Sequence, residues 1–123
     1  MTHKEVCLSF ELIDGGDGIE FDVVKDDEVL PAFAVRYHGV VYAYVNRCSH
    51  MELKLNFLHR NFFDLSKTSL ICSTHGALYD PATGRCKGGP CNSVGLQPLH
   101  IQELEGRLRL PQNSNVTLHI EEQ

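Results

Sequence analysis

Two short segments carry the side chains best suited to chemistry: Cys48-Ser49-His50 and Cys72-Ser73-Thr74-His75. Each segment pairs one thiolate ligand with one imidazole. Residues 51–71 separate the segments, which is enough chain for a loop and a returning strand. Two loops that bring these four side chains together would form a metal site.

The residue types alone leave the metal open, because cysteine and histidine bind zinc, copper and iron–sulfur clusters. Common structural zinc sites place two cysteines before two histidines, or use cysteine throughout. Here each segment is mixed, with C-x-H in the first and C-x-x-H in the second. An iron–sulfur centre with two kinds of ligand is the favoured interpretation, and a zinc-bound structural domain is the alternative.

The second segment and the residues after it, Cys72-Ser73-Thr74-His75-Gly76-Ala77-Leu78-Tyr79-Asp80, closely resemble the Rieske-type [2Fe–2S] ferredoxins. The C-x-H of the first segment completes the two-part motif of that family. Gly88-Gly89-Pro90 is similar to the third loop with which such proteins cover their cluster. The resemblance spans roughly residues 40 to 110 and implies one [2Fe–2S] cluster per chain.

The resemblance also implies how the ligands are divided between the two irons. Cys48 and Cys72 would bind the buried iron, and His50 and His75 would bind the outer iron. This division is chemically reasonable, because an imidazole has a second polar nitrogen that prefers water, whereas thiolates gain from backbone N–H donors. The oxidised cluster then has a charge of about zero, against about −2 with four cysteines, which raises its reduction potential.

The residues next to the ligands bear on that potential. High-potential Rieske proteins of respiratory complexes resemble this motif but carry a serine two residues after the second histidine, where this chain has Ala77. They also have a disulfide between their ligand loops, and neither segment here contains a further cysteine. Tyr79 does occupy the position of the family's potential-raising tyrosine. We therefore expect a low-to-intermediate potential, typical of ferredoxins that serve oxygenases.

The elements that must position the two segments are short strands. Alternating apolar residues and turn residues predict about eight to ten strands with very little helix. The predicted strands cover residues 6–12, 19–24, 30–37, 40–45, 69–71, 98–103, 108–110 and 116–120. The fold class is therefore all-β, and the resemblance implies a Rieske-like antiparallel β-sandwich or barrel.

The same pattern predicts where the metal-binding segments lie. Strands 30–37 and 40–45 flank His38-Gly39 as a hairpin, and the second of them runs directly into the first segment. Strand 69–71 leads into the second segment. We expect a single Rieske domain over residues 1–123, with a cluster-binding subdomain over about residues 46–92 made of the two ligand loops and the covering Gly-Pro loop.

The remaining cysteines and a group of aromatic residues have two interpretations each. Cys86 and Cys91 flank the third loop and either brace it as a disulfide or pack as small apolar side chains, which we favour. Phe57, Phe62 and Phe63 either form a docking patch near the cluster or anchor their loop in the core, which again we favour.

Charge and composition limit the partners. The formal net charge is −5 and lysines and arginines are not clustered, which argues against nucleic acid and favours a partner with a basic docking face. No apolar run approaches the roughly 20 residues that span a bilayer, and the N-terminus has no signal-peptide core. We therefore expect a protein that does not bind membranes and is cytoplasmic, or lies in the matrix of an organelle if a transit segment has been removed.

The expected function is one-electron transfer rather than catalysis. The sequence has no nucleotide-binding loop and no triad of two histidines and a carboxylate for a mononuclear iron. The resemblance implies a monomeric carrier that takes an electron from a flavoprotein reductase and passes it to a terminal oxygenase. Its docking point would be the exposed edges of His50 and His75. The alternative is a redox-sensing or conduit subunit fixed to a larger enzyme.

Overall fold

The computed structural model describes residues 5–47, 54–55, 62–72, 76–89, 94–110 and 116–119. Within these ranges the chain forms short strands and a single 3₁₀ turn at Ser9–Glu11, so the all-β prediction is confirmed. The strands are β1 (Glu5–Leu8), β2 (Ile19–Lys25), β3 (Glu28–Tyr37), β4 (Val40–Val45), β5 (Leu70–Ile71), β6 (Leu78–Tyr79), β7 (Cys86–Gly88), β8 (Pro98–Leu99), β9 (Gln102–Leu104), β10 (Arg107–Arg109) and β11 (Val116–His119). No helix in this part of the chain is long and apolar enough to cross a membrane.

The described strands pair into three antiparallel sheets. The largest has the order β11-β2-β3-β4-β8, and the other two have the orders β1-β10-β9 and β5-β6-β7. The last of these holds the second metal-binding segment between β5 and β6. The predicted strand near the C-terminus is confirmed as β11, which lies at an edge of the largest sheet.

Three hairpins have two-residue turns whose central residues both have positive φ. This geometry matches the right-handed twist of the flanking strands, and glycine, asparagine and aspartate tolerate it best. The hairpin predicted around His38-Gly39 is therefore confirmed. The turn pairs are Asp26-Asp27 (φ 52° and 63°), His38-Gly39 (φ 51° and 83°) and Glu105-Gly106 (φ 51° and 75°).

Strand β3 is buried on both faces, because successive side chains of a strand point to opposite sides. On one side lies a cluster that we call the site-side core. Its buried members are Phe33, Val35, Tyr44, Leu55, Phe62, Phe63, Leu70, Cys72, Ala77, Tyr79 and Leu96. On the other side lies the distal core, whose buried members are Leu12, Val23, Leu30, Ala32, Ala34, Ala43, Val45, Leu99, Leu108 and Leu110.

Two predicted strands differ from the structure. The strand expected over residues 6–12 ends at Leu8, because the Ser9 N–H donates to the Gly106 carbonyl and the chain then turns through the 3₁₀ segment. The strand expected over residues 98–103 is divided into β8, which pairs with β4, and β9, which pairs with β10. Periodicity is the same for one long strand and for two short strands of different sheets, so it could not reveal this division.

Candidate metal centre

The structure describes only one of the four predicted ligands. Cys48, His50 and His75 lie outside the described residues, and Cys72 lies within them. Strand β4 ends at Val45 and leads toward the first segment, while β5 ends at Ile71 and leads into the second. Both segments therefore follow strand ends, as the sequence predicted.

Cys72 is fully buried within the site-side core. Its N–H donates to the Ala77 carbonyl at 2.9 Å, and its own carbonyl accepts from the Gly76 N–H at 2.8 Å. These two bonds join the start of the second segment to its end. Gly76 has a φ of +75°, a conformation that costs glycine little and other residues more.

The third loop lies in backbone contact with the end of the second segment. A Cβ atom added to Gly89 would lie 2.8 Å from the Gly76 carbonyl oxygen and 2.9 Å from the Ala77 Cα. Gly89 also has a φ of +78°, so this position requires glycine for two independent reasons. The described part of the third loop therefore lies against the residues that follow the second segment, and its covering of a cluster stays a prediction.

A turn before β5 fixes the direction in which the chain enters the second segment. The carboxylate of Asp64 accepts hydrogen bonds from Ser66 Oγ at 2.8 Å and from the Thr68 and Ser69 N–H groups at 3.3 Å each. Partial burial acts to raise the pKa of Asp64, but these hydrogen bonds outweigh it and the pKa is lowered. The carboxylate therefore stays charged and keeps the turn closed at neutral pH.

Tyr44 links the largest sheet to the turn after β6. Its hydroxyl donates a buried hydrogen bond of 2.6 Å to the Pro81 carbonyl. Burial raises the pKa of Tyr44 well above its usual value, with a smaller contribution from the charge of Asp80. The hydroxyl therefore remains a donor over the physiological pH range. Sequence analysis did not identify this link, because tyrosine in a strand pattern is equally compatible with simple packing.

Asn46 is the second polar residue that sequence analysis missed. It lies two positions before Cys48 and is 1% exposed. The sequence does contain a signal for it, namely a polar amide directly after a buried strand and two positions before a metal-binding segment.

The two residues predicted to bear on the reduction potential are both fully buried. Ala77 and Tyr79 belong to the site-side core together with Cys72. The methyl group of Ala77 offers no hydrogen-bond donor at the position where high-potential relatives carry serine. The effects of Ala77 and Tyr79 on the reduction potential stay predictions.

The favoured interpretation of Cys86 was wrong. Cys86 is half-buried on β7 and forms a disulfide with a cysteine outside the described residues. It is therefore not a simple apolar filler. A disulfide on β7, the last strand before the third loop, restricts that loop more strongly than packing alone would. Cys91, the partner named in the disulfide alternative, lies outside the described residues.

The anchoring role of the phenylalanines is confirmed for the two that are described. Phe62 and Phe63 are 1% and 4% exposed and belong to the site-side core. Phe62 stacks on Phe33 of β3 with ring centroids 4.1 Å apart. Phe57 lies outside the described residues.

The described part of the site fits an iron–sulfur cluster in two respects. A cysteine predicted to be an inner ligand is fully buried in an apolar core, and a glycine loop lies in backbone contact with the end of its segment. Among the described residues no group of three metal-binding side chains occurs, as expected when three of the four predicted ligands fall in the gaps between the described ranges.

Comparison with solved structures shows the same fold in several ferredoxins, including that of a carbazole dioxygenase. The ferredoxin of carbazole 1,9a-dioxygenase from Nocardioides aromaticivorans IC177 is 25% identical, with a TM-score of 0.69, and the match covers 91% of this chain and 100% of that chain. The Sphingomonas yanoikuyae B1 ferredoxin is 22% identical, with a TM-score of 0.68 and coverage of 89% and 99%. A chain in the complex of reduced oxygenase and oxidized ferredoxin in carbazole 1,9a-dioxygenase is 22% identical, with a TM-score of 0.66 and coverage of 85% and 87%.

Comparison of the sequence itself identifies the family. No curated protein sequence matches the chain. The family model for the Rieske [2Fe-2S] domain matches residues 3–105, which is most of the chain. That range contains both mixed Cys/His segments and the third loop. The chain therefore belongs to the Rieske [2Fe–2S] family.

Proposed function

We propose that this protein is a one-electron carrier that takes an electron from a flavoprotein reductase and passes it to a terminal oxygenase. The observation that supports this most strongly is the Rieske family match over residues 3–105, in a chain that aligns with the whole of an oxygenase ferredoxin. The protein would act as the electron-transfer component of an oxidoreductase system and would not be an enzyme itself.

We further propose that Cys48 and Cys72 hold the inner iron and that His50 and His75 hold the outer iron. The full burial of Cys72 supports its assignment as an inner ligand. When bound, a [2Fe–2S] cluster supplies a centre that accepts and releases one electron. The role of the chain is to hold the four ligands, exclude water from the thiolates and leave the imidazole edges accessible.

The visible spectrum of the purified protein is the first test of this assignment. We expect a red-brown protein with two irons and two sulfides per chain and an electron paramagnetic resonance signal after reduction. Replacing any of the four ligands with alanine should abolish the signal. His100→Ala is a matched control, because His100 is exposed and follows β8 in a different part of the sequence. A colourless protein with stoichiometric zinc would refute the proposal in favour of a zinc domain.

The carrier and the fixed subunit differ in how they associate. A diffusible carrier should run as a monomer in gel filtration and bind its partners weakly, whereas a conduit subunit should co-purify with a larger enzyme. Stable co-purification with an enzyme would contradict the diffusible carrier.

We propose a single domain over residues 1–123 with its cluster-binding subdomain at about residues 46–92, since both cores share strand β3.

We propose a low-to-intermediate reduction potential. The burial of Ala77, with no hydroxyl at the position of the serine found in high-potential relatives, supports this. A redox titration should return a midpoint in the range of oxygenase ferredoxins. A strongly positive midpoint at neutral pH would contradict the proposal.

The cytoplasmic location stays a prediction. The disulfide at Cys86 counts against it, because disulfides are rare in reducing compartments. Alkylation of thiols in intact cells followed by mass spectrometry would decide the question. Quantitative labelling of Cys86 is expected for a cytoplasmic protein.

A further inference from the structure

Asn46 is a buried polar residue, and packing against the sheet alone does not explain why an amide occurs at this position. It follows the last residue of β4 and precedes Cys48 by two positions, and only 1% of its surface is exposed. A buried carboxamide is costly unless its donors and acceptor are used. An apolar residue would be the less costly choice at this position unless the amide has a specific role.

The backbone and side chain of Asn46 bind different parts of the fold. The Asn46 N–H donates to the Pro31 carbonyl of β3 at 2.7 Å, which fixes the residue to the sheet. Its Oδ1 accepts a buried hydrogen bond of 2.9 Å from the Leu55 N–H. Its Nδ2 donates to Glu20 Oε1 of β2 over a longer distance of 3.4 Å.

The bond to Leu55 joins the two sides of the first metal-binding segment. Asn46 lies before Cys48, and Leu55 lies after His50. Leu55 is itself fixed, because its side chain is fully buried in the site-side core. Next to it, Lys54 lies 3.9 Å from Glu20, the same carboxylate that Nδ2 of Asn46 approaches. The carboxamide therefore joins residue 46, before the first segment, to residue 55, after it, and both of these residues are attached to the folded core.

We propose that Asn46 is a positioning residue for the cluster. The bond between Asn46 and Leu55 restricts the positions that Cys48 and His50 can take. The two ligands would therefore be held near their metal-binding positions before the metal arrives. The proposal rests on the proposed function in one respect, namely that Cys48 and His50 are ligands. Oδ1 is the atom on which the proposal rests, because its bond to the Leu55 N–H is short and buried, whereas the Nδ2 contact with the half-exposed Glu20 carboxylate is longer.

Three variants separate positioning from general stability. Asn46→Leu keeps the size of the side chain and removes its acceptor. Asn46→Asp keeps an acceptor for the Leu55 N–H. Val23→Ala is the matched control, because Val23 is fully buried in the distal core and its truncation destabilises the fold without contacting either segment. If Asn46→Leu does not fold, Asn46→Ser replaces it, since the shorter side chain cannot reach the Leu55 N–H.

The measurements are iron and sulfide per folded chain, the rate of iron loss to a chelator, and the electron paramagnetic resonance line shape after reduction. We expect Asn46→Leu to lose iron at least about tenfold faster than wild type, as when partners of metal ligands are removed elsewhere, and to change the line shape. Asn46→Asp should lose iron more slowly than Asn46→Leu, because it keeps the acceptor, but faster than wild type, because its buried carboxylate lies beside Glu20. Val23→Ala should lower the melting temperature and leave the line shape and the rate per folded chain unchanged.

The possible outcomes distinguish this proposal from the proposed function. Wild-type iron loss in a folded Asn46→Leu or Asn46→Ser chain would overturn the positioning role alone. Equally fast loss in Val23→Ala at the same melting temperature would also overturn it, because general stability would then explain the effect. A wild-type chain that binds no [2Fe–2S] cluster would overturn the carrier function and this proposal together.

Discussion

The two cores on opposite faces of β3 are built from different residues. The site-side core contains five aromatic rings among its buried members, those of Phe33, Tyr44, Phe62, Phe63 and Tyr79. The buried members of the distal core are all aliphatic. The comparison indicates that the site-side face of β3 holds loops in place, whereas the distal face packs against strands of the sheets.

The difference follows from what each face must hold. Strands are fixed by their hydrogen-bonded ladders, so small aliphatic side chains are enough to fill the space beneath them. A loop has few such bonds and must be fixed by large rings and by individual side-chain hydrogen bonds. The bonds from Tyr44 to Pro81 and from Leu55 to Asn46 are of this kind, and both lie on the site side.

Phe33→Ala should give the largest effect on the site-side core. Phe33 is fully buried, stacks on Phe62 at 4.1 Å and lies 5.8 Å from the ring of Tyr44. Removing a buried phenylalanine costs about 3–5 kcal/mol, so unfolding in urea should shift strongly. Iron retained per folded chain should also fall, because Phe62 and the residues that follow it lose their support.

Leu108→Ala is the matched change in the distal core. Leu108 is fully buried, and its truncation should cost about 2–5 kcal/mol. Iron retained per folded chain should be unchanged, because Leu108 contacts the face of the sheet away from the site. Equal loss of iron in Phe33→Ala and Leu108→Ala would refute the interpretation that the site-side core, and not the distal core, supports the metal-binding segments.

Gly89→Ala should give the next largest effect, concentrated on the third loop. The added methyl group would lie 2.8 Å from the Gly76 carbonyl oxygen, and the positive φ adds strain, for a total of about 1–3 kcal/mol. Since the nearest atoms are backbone, the third loop must move away from the second segment. We expect faster iron loss to a chelator and a changed electron paramagnetic resonance signal.

Gly106→Ala is the control for this change. Gly106 has nearly the same φ, +75°, but no atom lies within 4 Å of the added methyl group. It should cost only the conformational strain of about 1 kcal/mol and leave the cluster unaffected. If both variants behaved alike, the contact between the third loop and the second segment would have no role in holding the cluster.

The contrast between the cores also explains which features could be predicted from the sequence. The strands around the His38-Gly39 turn alternate over many residues and end in a turn with strong local preferences, so local rules were sufficient. The second segment was predictable to follow a strand end because Leu70 and Ile71 directly precede Cys72. In each case the information is contiguous in the chain.

The features that were missed depend on contacts between residues far apart in sequence. The hydrogen bond from Tyr44 to Pro81 joins two distant parts of the chain and leaves no mark on local periodicity. The division into β8 and β9 depends on which sheet each residue joins, and hydrophobic pattern carries no information about that. The roles of Cys48, His50 and His75 stay predictions based on residue type and family, because these residues lie outside the described ranges.

Tyr44→Phe should give a smaller effect with a distinctive pH dependence. It removes one buried hydrogen bond and leaves the Pro81 carbonyl without that donor, which should cost about 1–2 kcal/mol at neutral pH. Because the pKa of Tyr44 is raised in the folded state, the stabilisation is complete below the usual tyrosine pKa of about 10 and is lost at higher pH.

The effect can be measured by comparing the urea midpoints of wild type and Tyr44→Phe at about pH 8 and about pH 10.5. Wild type should lose stability between these values, and Tyr44→Phe should lose less. An identical pH dependence in the two proteins would show that folding does not raise the pKa of Tyr44.

Glu103→Gln should give the smallest effect and none at the site. Arg36 donates to both carboxylate oxygens of Glu103, at 3.1 and 2.6 Å, and also to the Leu12 and Ser9 carbonyls, so the pair joins β9 to β3 beside the distal core. The Arg36 hydrogen bonds lower the pKa of Glu103. Its contribution is therefore present above the usual carboxylate pKa of about 4.3 and is lost as the pH falls through the lower folded-state value.

The size of this contribution is limited by exposure, since 35% of the Glu103 side chain is accessible and water screens the pair. We expect Glu103→Gln to lose less than about 1 kcal/mol at pH 7, with the loss shrinking at about pH 3 and at high salt. Iron retention should match wild type at every pH at which the protein is folded. Glu103 lies on β9, outside the β5-β6-β7 sheet whose first strand leads into Cys72. A change in the electron paramagnetic resonance signal of Glu103→Gln would therefore mean that the site also responds to the sheets beside the distal core. The separation of the two faces of β3 would then be incomplete.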